Sequence, residues 1–200
     1  MTHDPFSELH AYVLAGGQSR RFGSDKALAL LDGEPLILHA TRELAACAAS
    51  CTLVADRTER FAHLGLHTIV DRHPGRGPLA GLDAALHDLS VRGGSWLLLG
   101  ACDRLGLRAD WIAALHHAAT LSPDCHAAAF HDGTRWQPLP ALYHRDIAPL
   151  VRNLLAGHDL ALHALLDRVP AARVPLPSDW SMVRDINHPA DLAMQRDGGV

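Results

Sequence analysis

The sequence lacks the features that direct a chain to a membrane or to nucleic acid. None of its apolar stretches approaches the ~20 residues that a membrane helix needs. Its 18 basic and 22 acidic residues leave a net charge of −4, and its sequence pI of 6.4 is well below the value of about 9 that is usual for nucleic-acid-binding domains. The N-terminal residues form neither the basic region nor the apolar core of a signal peptide. We therefore expect a cytoplasmic protein that binds neither membranes nor nucleic acid.

Cysteine is scarce and histidine is abundant, but neither residue type shows the spacing of a metal site. The four cysteines, at positions 47, 51, 102 and 125, lack the Cys-x-x-Cys pairs of zinc sites, so we expect reduced, unpaired thiols. The fifteen histidines include no His-Glu-x-x-His motif, and we expect most of them to lie at the surface. Stability must then come from a hydrophobic core, which 200 residues of 48% hydrophobic content are enough to build.

Short apolar segments alternate with longer helix-like segments along the chain. The predicted strands, which are short and apolar throughout, cover residues 11–15, 52–55, 68–70, 96–100, 127–130 and 139–143. The predicted helices cover residues 35–49, 78–89, 109–121, 147–156 and 189–196. Pro35 and Pro78 fit a first helical turn, where a missing N–H is tolerated. This alternation predicts an α/β protein, with residues 1–200 in a single domain and helices on both faces of a mostly parallel sheet.

A glycine-rich segment with several positive charges follows the first predicted strand directly. Gly16 and Gly17 have no side chain, so their amides can approach a ligand closely, and successive amides form a nest for an anion. Arg20, Arg21 and Lys26 add cationic groups to the same segment. Because ligands of open parallel sheets bind beyond the carboxyl ends of the strands, we interpret this segment as a polyphosphate-binding loop.

Two familiar phosphate-binding motifs do not fit this loop. A P-loop requires Gly-x4-Gly-Lys-Ser/Thr, but Gly23 is followed by Ser24. The dinucleotide fingerprint Gly-x-Gly-x-x-Gly is also absent. A surface loop that is rich in glycine and arginine without a function is the remaining alternative. The third glycine and the Asp25-Lys26 pair disfavour it.

The loop resembles the signature loop of small-molecule nucleotidyltransferases, in particular of the molybdenum cofactor guanylyltransferase family. The matching residues are Leu14-Ala15-Gly16-Gly17-x-Ser19-x-Arg21-Phe22-Gly23-x-Asp25-Lys26-Ala27. Weaker similarity extends over residues 11–195. The resemblance implies a Rossmann-like α/β fold, Mg²⁺ as cofactor, and transfer of GMP from GTP to the phosphate of molybdopterin with release of pyrophosphate. It also implies contact with proteins that insert the molybdenum cofactor.

Asp103 follows the apolar strand predicted at residues 96–100 and is therefore expected at the ligand-binding edge of the sheet. Proteins commonly hold Mg²⁺ by one or two carboxylates together with substrate phosphates. The resemblance implies that the aspartate of the Cys102-Asp103 pair is the metal ligand. The alternative is that Asp103 caps the helix predicted at 109–121, although it lies well before that helix.

Two further segments match the nucleotide site of the family. Gly81 ends a Gly-Pro-Leu-Ala-Gly segment, where it either leaves a flat surface for a nucleoside or permits close packing of a helix on the sheet. Asp71 ends a predicted strand, and its carboxylate has the chemistry to accept hydrogen bonds from guanine or from ribose. The predicted nucleotide-binding residues are Leu14, Ala15, Gly16, Gly17, Lys26, Asp71, Gly81 and Asp103.

Near the C-terminus, Asp185 and Asn187 resemble the Asn-x-Asn-Thr-Pro segment of the family. Asn187 matches that pattern and Asp185 replaces an asparagine, so both are candidates to bind the acceptor or a second metal ion. Arg104 stands where the family has an apolar residue or threonine, and it either binds phosphate or faces solvent. Asp159 or Leu160 stands where the family often carries an acceptor-binding arginine.

These residues together predict in-line attack of an acceptor phosphate on the α-phosphorus of a nucleoside triphosphate. Arg21 and Lys26 would neutralise phosphate charge, while Asp103 would hold Mg²⁺. The backbone amides of residues 15–17 would cradle the nucleotide. Two alternatives stay open: a related nucleotidyltransferase that uses CTP or another acceptor, and a nucleotide-binding protein without catalytic activity.

Overall fold

The computed structural model of the chain describes residues 7–16, 22–23, 25–157 and 160–193. The strands in this part of the chain are β1 (His10–Leu14), β2 (Leu30–Leu31), β3 (Glu34–Pro35), β4 (Ser50–Ala55), β5 (Thr68–Val70), β6 (Trp96–Ala101), β7 (Arg104–Leu105), β8 (Ala127–His131), β9 (Trp136–His144), β10 (Ala171–Pro175) and β11 (Arg184–Asp185). Seven of them form one central sheet in the order β10-β8-β9-β6-β1-β4-β5. The others form two small sheets, β2–β3 and β7–β11.

The central sheet is mostly parallel, as predicted. β1 pairs in parallel with β4 and β6, β4 pairs in parallel with β5, and β8 pairs in parallel with β10. Among the described strands of this sheet, only β9 runs antiparallel to its neighbours, which are β6 and β8. The carboxyl ends of β5, β4, β1 and β6 therefore lie side by side along one edge of the sheet.

Helices cover both faces of the sheet, which gives the predicted Rossmann-like α/β arrangement. They are α1 (Leu36–Ala45), α2 (Gly77–Val91), α3 (Ala109–Thr120), α4 (Ala148–Ala156), α5 (Leu162–Leu166) and α6 (Ala190–Ala193). Side chains of α1 and α3 pack with Val13 and Leu53 in one hydrophobic cluster. Those of α2, α4 and α5 pack with Tyr12 and Val54 in a second cluster. Neighbouring strand residues enter different clusters because successive side chains of a strand point to opposite faces.

The helix boundaries differ from the prediction mainly around Pro35 and near the C-terminus. Pro35 does not lie in the first turn of α1; it is the N-cap residue and pairs with Leu30 across the β2–β3 turn. Pro78 lies in the first turn of α2 as predicted. α1 ends at Ala45 rather than at residue 49, because the chain turns there to enter β4. The helix predicted over 189–196 is seen as α6, and residues 194–196 lie outside the described part.

Two strands at one side of the sheet differ most from the prediction. β9 begins at Trp136 rather than at residue 139, because a register shift opposite Ala129 and Phe130 accommodates a strand that contains prolines. β10 was not predicted, because its residues are mixed in polarity and end at Pro175. As an edge strand it needs only one apolar face and tolerates proline.

The described residues agree with the expectations drawn from composition. No helix among them is both long and apolar enough to span a bilayer. All four cysteines are unpaired thiols, as predicted. None of the described histidines is buried, which agrees with the predicted surface positions.

Candidate active site

Three of the predicted site residues, Gly16, Asp71 and Asp103, follow the carboxyl ends of β1, β5 and β6, which lie with β4 in one row of four parallel strands. The amides of Ala15, Asp71 and Cys102 donate hydrogen bonds to the neighbouring strands at 2.9, 2.7 and 3.1 Å, which extends the sheet to the last residue before each loop. Neighbouring strands are about 4.8 Å apart, so Asp71 after β5 and Asp103 after β6 mark the ends of a row about 14 Å long. The glycine-rich loop leaves β1 between them.

Lys26 and Asp103 are in direct contact in this row. The Lys26 Nζ lies 2.6 Å from the Asp103 Oδ2, although the residues are 77 positions apart in the sequence. Their side chains are 17% and 33% exposed, so the pair lies at the base of an open site rather than in the core. Among the described residues, none donates a hydrogen bond to the second carboxylate oxygen of Asp103. The structure therefore brings together two of the predicted catalytic residues and leaves one oxygen of Asp103 for another ligand.

The end of the glycine-rich loop is held by Arg60, which the sequence did not single out. The Arg60 guanidinium donates to both carboxylate oxygens of Asp25 at 2.7 and 2.8 Å and to the Ala15 carbonyl at 2.8 Å. Asp25 in turn accepts a hydrogen bond from the Ala27 amide and so caps the 3-10 turn that carries Lys26. Because Ala15 begins the loop and Asp25 ends it, Arg60 fixes both ends of the loop relative to each other.

The first residues of the loop differ in what they offer a ligand. The Ala15 amide donates to the Val54 carbonyl at 2.9 Å, so the prediction that this amide cradles a nucleotide is wrong. Gly16 is exposed, and a Cβ placed on it would meet no atom within 4 Å, so its backbone borders open space. Gly17 and Arg21 lie outside the described residues and stay predictions.

Gly81 packs against the sheet and does not form an open platform. A Cβ on Gly81 would lie 2.4 Å from the Leu14 Cδ2, and Gly81 itself is buried. Of the two roles weighed for Gly81, the structure shows close packing of α2 on the end of β1. Gly81 therefore does not offer the flat surface that was one of its two predicted roles, and its assignment as a nucleotide-binding residue stays a prediction.

Asp71 lies at the far end of the row in a partly buried environment, with His73 and Asp83 nearby. Its carboxylate accepts a hydrogen bond from the His73 amide at 2.8 Å. Burial raises the pKa of Asp71, and the nearby buried carboxylate of Asp83 adds to this effect. A carboxylate with incomplete solvation and few donors is suited to accept hydrogen bonds from a ligand.

Asp185 and Arg104 form a pair on the other side of Asp103. Arg104 Nε and Nη2 donate to the two Asp185 oxygens at 2.6 and 2.9 Å, and Nη1 donates to the Leu139 carbonyl and, at 3.4 Å, to Gln137. Exposure to solvent is wrong as the role of Arg104, because its side chain is 18% exposed and joins β7, β9 and β11, whereas phosphate binding by Arg104 stays a prediction. The Asp185 side chain is 49% exposed, and each of its oxygens keeps a lone pair beside the bond to Arg104, so its role as a second metal ligand stays a prediction.

The loops that flank Asp103 are held by two further carboxylates. Glu43 on α1 accepts hydrogen bonds from the Gly106 and Leu107 amides at 3.0 Å. Asp191 accepts hydrogen bonds from the Asn187 and His188 amides at 2.7 Å each, and these bonds lower the pKa of Asp191. These contacts fix the segments on either side of the site.

Asp103 does not cap α3. That helix begins at Ala109 with Arg108 as its N-cap residue, so the capping alternative is wrong. Instead, the Asp103 carbonyl accepts a hydrogen bond from the Ile186 amide at 2.8 Å, which brings the segment with Asp185 and Asn187 next to Asp103. Asp159 lies outside the described residues.

Arg60, Glu43 and Asp191 position the site but belong to none of the motifs. Arg60 meets Asp25 across 35 sequence positions, and Glu43 meets Gly106 across 63. Only the folded sheet creates such pairs, so no local pattern identifies them. For Asp191 the sequence does carry a local signal. Asn187-His188-Pro189 is typical of a helix start, and Asp191 lies in the first turn of that helix.

Comparisons with known proteins agree with this arrangement. Residues 11–173 match the model of the family described as MobA-like NTP transferase domain. A probable molybdenum cofactor guanylyltransferase of Deinococcus radiodurans is 37% identical over 188 residues, which are 92% of each chain. A protein of the same description from Synechococcus elongatus is 34% identical over 187 residues, 90% of this chain and 94% of the relative.

A solved structure has the same fold. The molybdopterin-guanine dinucleotide biosynthesis protein A of Archaeoglobus fulgidus aligns with a TM-score of 0.76 at 22% identity, over 92% of this chain and 95% of the other. This structural likeness supports the α/β fold. The two relatives named above match most of the chain at higher sequence identity and so show the family. The chain therefore belongs to the family of MobA-like NTP transferase domains.

Proposed function

We propose that this protein transfers GMP from GTP to the phosphate of molybdopterin, which forms molybdopterin guanine dinucleotide and releases pyrophosphate. The observation that carries the proposal is the 2.6 Å contact between Lys26 and Asp103 beside the glycine-rich loop. Relatives of this chain are named molybdenum cofactor guanylyltransferases. The acceptor phosphate is already an anion, so the reaction needs no protein nucleophile, and the main task of the protein is to stabilise phosphate charge.

Asp103 has the properties of a Mg²⁺ ligand. It is a partly exposed carboxylate at the edge of the sheet, and Lys26 uses only one of its oxygens. Mg²⁺ prefers one or two carboxylates together with phosphate oxygens and water, and we assign Asp103 as the carboxylate ligand. When bound, Mg²⁺ would neutralise charge on the phosphates and orient the attack. Lys26 would hold the phosphates on the loop side and balance the charge of the leaving pyrophosphate.

The nucleotide would lie along the row of strand ends. The exposed backbone at Gly16, with Gly17 and Arg21, would bind the phosphates. Asp71, about three strand spacings from Asp103, would accept hydrogen bonds from the guanine edge or the ribose. A partly buried carboxylate that is left without hydrogen-bond donors disfavours a base that lacks those donors, which is a physical basis for selecting GTP.

The acceptor would approach from the side of β7 and β11. The Ile186 amide contacts the Asp103 carbonyl, so Asn187 is the candidate side chain next to the metal ligand. Asp185 is paired with Arg104 and would contribute mainly by holding this wall in place. Proteins that insert the molybdenum cofactor are the proposed recipients of the product.

The test is a product assay with purified protein, molybdopterin and Mg²⁺, with GTP, CTP, ATP and UTP supplied in separate reactions. We expect stoichiometric pyrophosphate and the guanine dinucleotide from GTP alone. Faster turnover of CTP would instead indicate the related nucleotidyltransferase. GTP binding without pyrophosphate release would indicate a binding protein; thermal unfolding reports that binding, because a ligand at about 100 times its Kd adds ~2.7 kcal/mol.

A further inference from the structure

Two histidines and a carboxylate meet at the edge of the sheet opposite the candidate active site. His126 precedes β8, His144 ends β9, and Asp146 lies in the 3-10 turn Arg145–Ile147 that leads into α4. The His144 amide donates to the His126 carbonyl at 2.9 Å, so strand pairing places the two residues side by side. Their imidazole rings are stacked with centroids 5.8 Å apart. The pairing of β8 with β9 therefore presents both imidazoles on one side of the sheet edge.

The three side chains have nearly the spacing of metal ligands. One possible ligand atom of each lies within 4.8 Å of the other two. Three atoms that lie no more than 4.8 Å from one another have a common central point at most about 2.8 Å from each of them, which is 4.8 Å divided by √3. Zinc–nitrogen and zinc–oxygen bonds are about 2.0–2.2 Å long, so side-chain movements of less than about 1 Å complete the site.

Two of the three ligand atoms are already as far apart as two ligands of one zinc ion would be. The His144 Nδ1 lies 3.3 Å from the Asp146 Oδ2. Two atoms about 2.1 Å from a common tetrahedral ion are about 3.4 Å apart. A metal ion at this nitrogen would replace the long hydrogen bond, 3.4 Å, that the Asp146 amide donates to it.

The surroundings hold the His144 side chain in place. It is 19% exposed, which leaves little room for the ring to move away from Asp146. The Trp96 ring packs against the His144 ring at 4.9 Å and restricts its orientation. Asp146 lines an open cavity of about 440 Å³ next to α2 and α4, which gives an ion access from solvent.

We propose that His126, His144 and Asp146 form a binding site for a divalent transition metal ion of the Zn²⁺ class. Two imidazoles and one carboxylate suit Zn²⁺ and similar ions, whereas Mg²⁺ prefers oxygen ligands. The ion would join the start of β8, the end of β9 and the turn before α4. Asp103 follows the carboxyl end of β6, at the opposite edge of the sheet. The proposed metal site is therefore separate from the candidate active site, and metal binding there is independent of nucleotide transfer.

The test is a calorimetric titration of the untagged, metal-free protein with ZnCl₂ in excess Mg²⁺, with CoCl₂ as a spectroscopic probe. We expect one Zn²⁺ per chain, a rise in Tm, and intense visible Co²⁺ bands typical of four-coordination. His144→Ala and Asp146→Asn should each weaken Zn²⁺ binding at least tenfold. His117→Ala, which removes an exposed histidine of α3, is the matched control and should bind as the wild type does.

Two results would overturn the proposal. One is the absence of saturable Zn²⁺ binding in excess Mg²⁺. The other is equal loss in the His117→Ala control, or no loss in the two site variants, which would mean that scattered surface histidines bind the ion. If His144→Ala fails to fold, His126→Asn with Asp146→Asn provides the same comparison, with far-UV circular dichroism as the check of folding.

Discussion

Replacement of Arg60 by methionine is expected to loosen the phosphate-binding loop while leaving the sheet intact. Arg60 is 12% exposed and makes two hydrogen bonds to Asp25, one to the Ala15 carbonyl and one, at 3.2 Å, to Asp56. Methionine keeps much of the apolar stem and removes all four bonds. Two of the lost bonds are donated to the Asp25 carboxylate. The Asp25 side chain is 27% exposed, so water can reach part of it.

The expected magnitude follows from this burial. Hydrogen bonds to charged groups contribute about 1.5–3 kcal/mol each, and removal of one partner of a fully buried ion pair costs about 3–5 kcal/mol. Because water recovers part of the solvation of Asp25, we expect Arg60→Met to lower the free energy of unfolding by about 2–3 kcal/mol. Arg60→Lys keeps the charge but loses the two-pronged geometry, so it should retain about half of this stability.

The assay combines urea unfolding with steady-state kinetics. A double-mutant cycle of Arg60→Met with Asp25→Asn should give a coupling energy of about 1–3 kcal/mol, because the two side chains contact each other directly. The kcat/KM for GTP should fall at least tenfold, with partial rescue in Arg60→Lys. Arg57→Met changes an exposed residue just before the 3-10 segment Thr58–Leu64 that carries Arg60, and it should leave both quantities near wild type. An unfolding free energy of Arg60→Met within about 0.5 kcal/mol of wild type, with a coupling energy to Asp25 below that amount, would contradict this role of Arg60.

Three further outcomes are expected. Gly106→Ala should lower the free energy of unfolding in urea by about 2–4 kcal/mol, because the φ of Gly106 is +87° and a Cβ there would lie 2.8 Å from the Met182 carbonyl oxygen. The control is Gly65→Ala, where φ is +68° but the space is open, and it should cost only about 1–2 kcal/mol. Equal losses in the two variants would contradict the role of the clash. The Cys102 thiol should resist iodoacetamide at pH 8 until urea unfolds the protein, because burial raises its pKa to about 12; rapid alkylation of the native protein would oppose this. Because burial raises the pKa of Asp71, protonation competes with hydrogen bonds from GTP to the ionised carboxylate, so GTP affinity measured by calorimetry should weaken as the pH falls through that raised pKa; the same profile in Asp71→Asn would exclude this residue as the cause.

The central strands were the most predictable part of the fold. Their residues are apolar throughout because both faces of a parallel sheet are covered, and that pattern is visible without knowledge of the fold. β10 and the two-residue strands were not visible, because an edge strand such as Ala171–Pro175 needs only one apolar face. Pro35 was misplaced because proline also suits an N-cap position in an extended conformation, which is where it lies.

The residues that touch in the candidate site were only partly predictable. Asp103 was selected because it follows a buried strand and because the family resemblance implied a metal ligand there, and Lys26 because it adds charge to the glycine-rich loop after another strand; parallel strands bring their carboxyl ends to one edge. The partners of Asp25 and Asp185 were not predictable, because Arg60 and Arg104 reach them only after the sheet and its flanking turns have formed. The Ala15 amide was misassigned for a related reason: the sheet extends by one more hydrogen bond, to Val54.

The most direct test of the central claim is the rate of GMP transfer from α-labelled GTP to molybdopterin in Lys26→Ala and Asp103→Ala, each shown to be folded by circular dichroism. Both side chains are assigned to the charge that develops on one triphosphate, and loss of such a group typically costs ~10²–10³-fold in rate, or about 3–4 kcal/mol. We predict a loss of this size in each variant. Rates within about threefold of wild type in both folded variants would contradict the account.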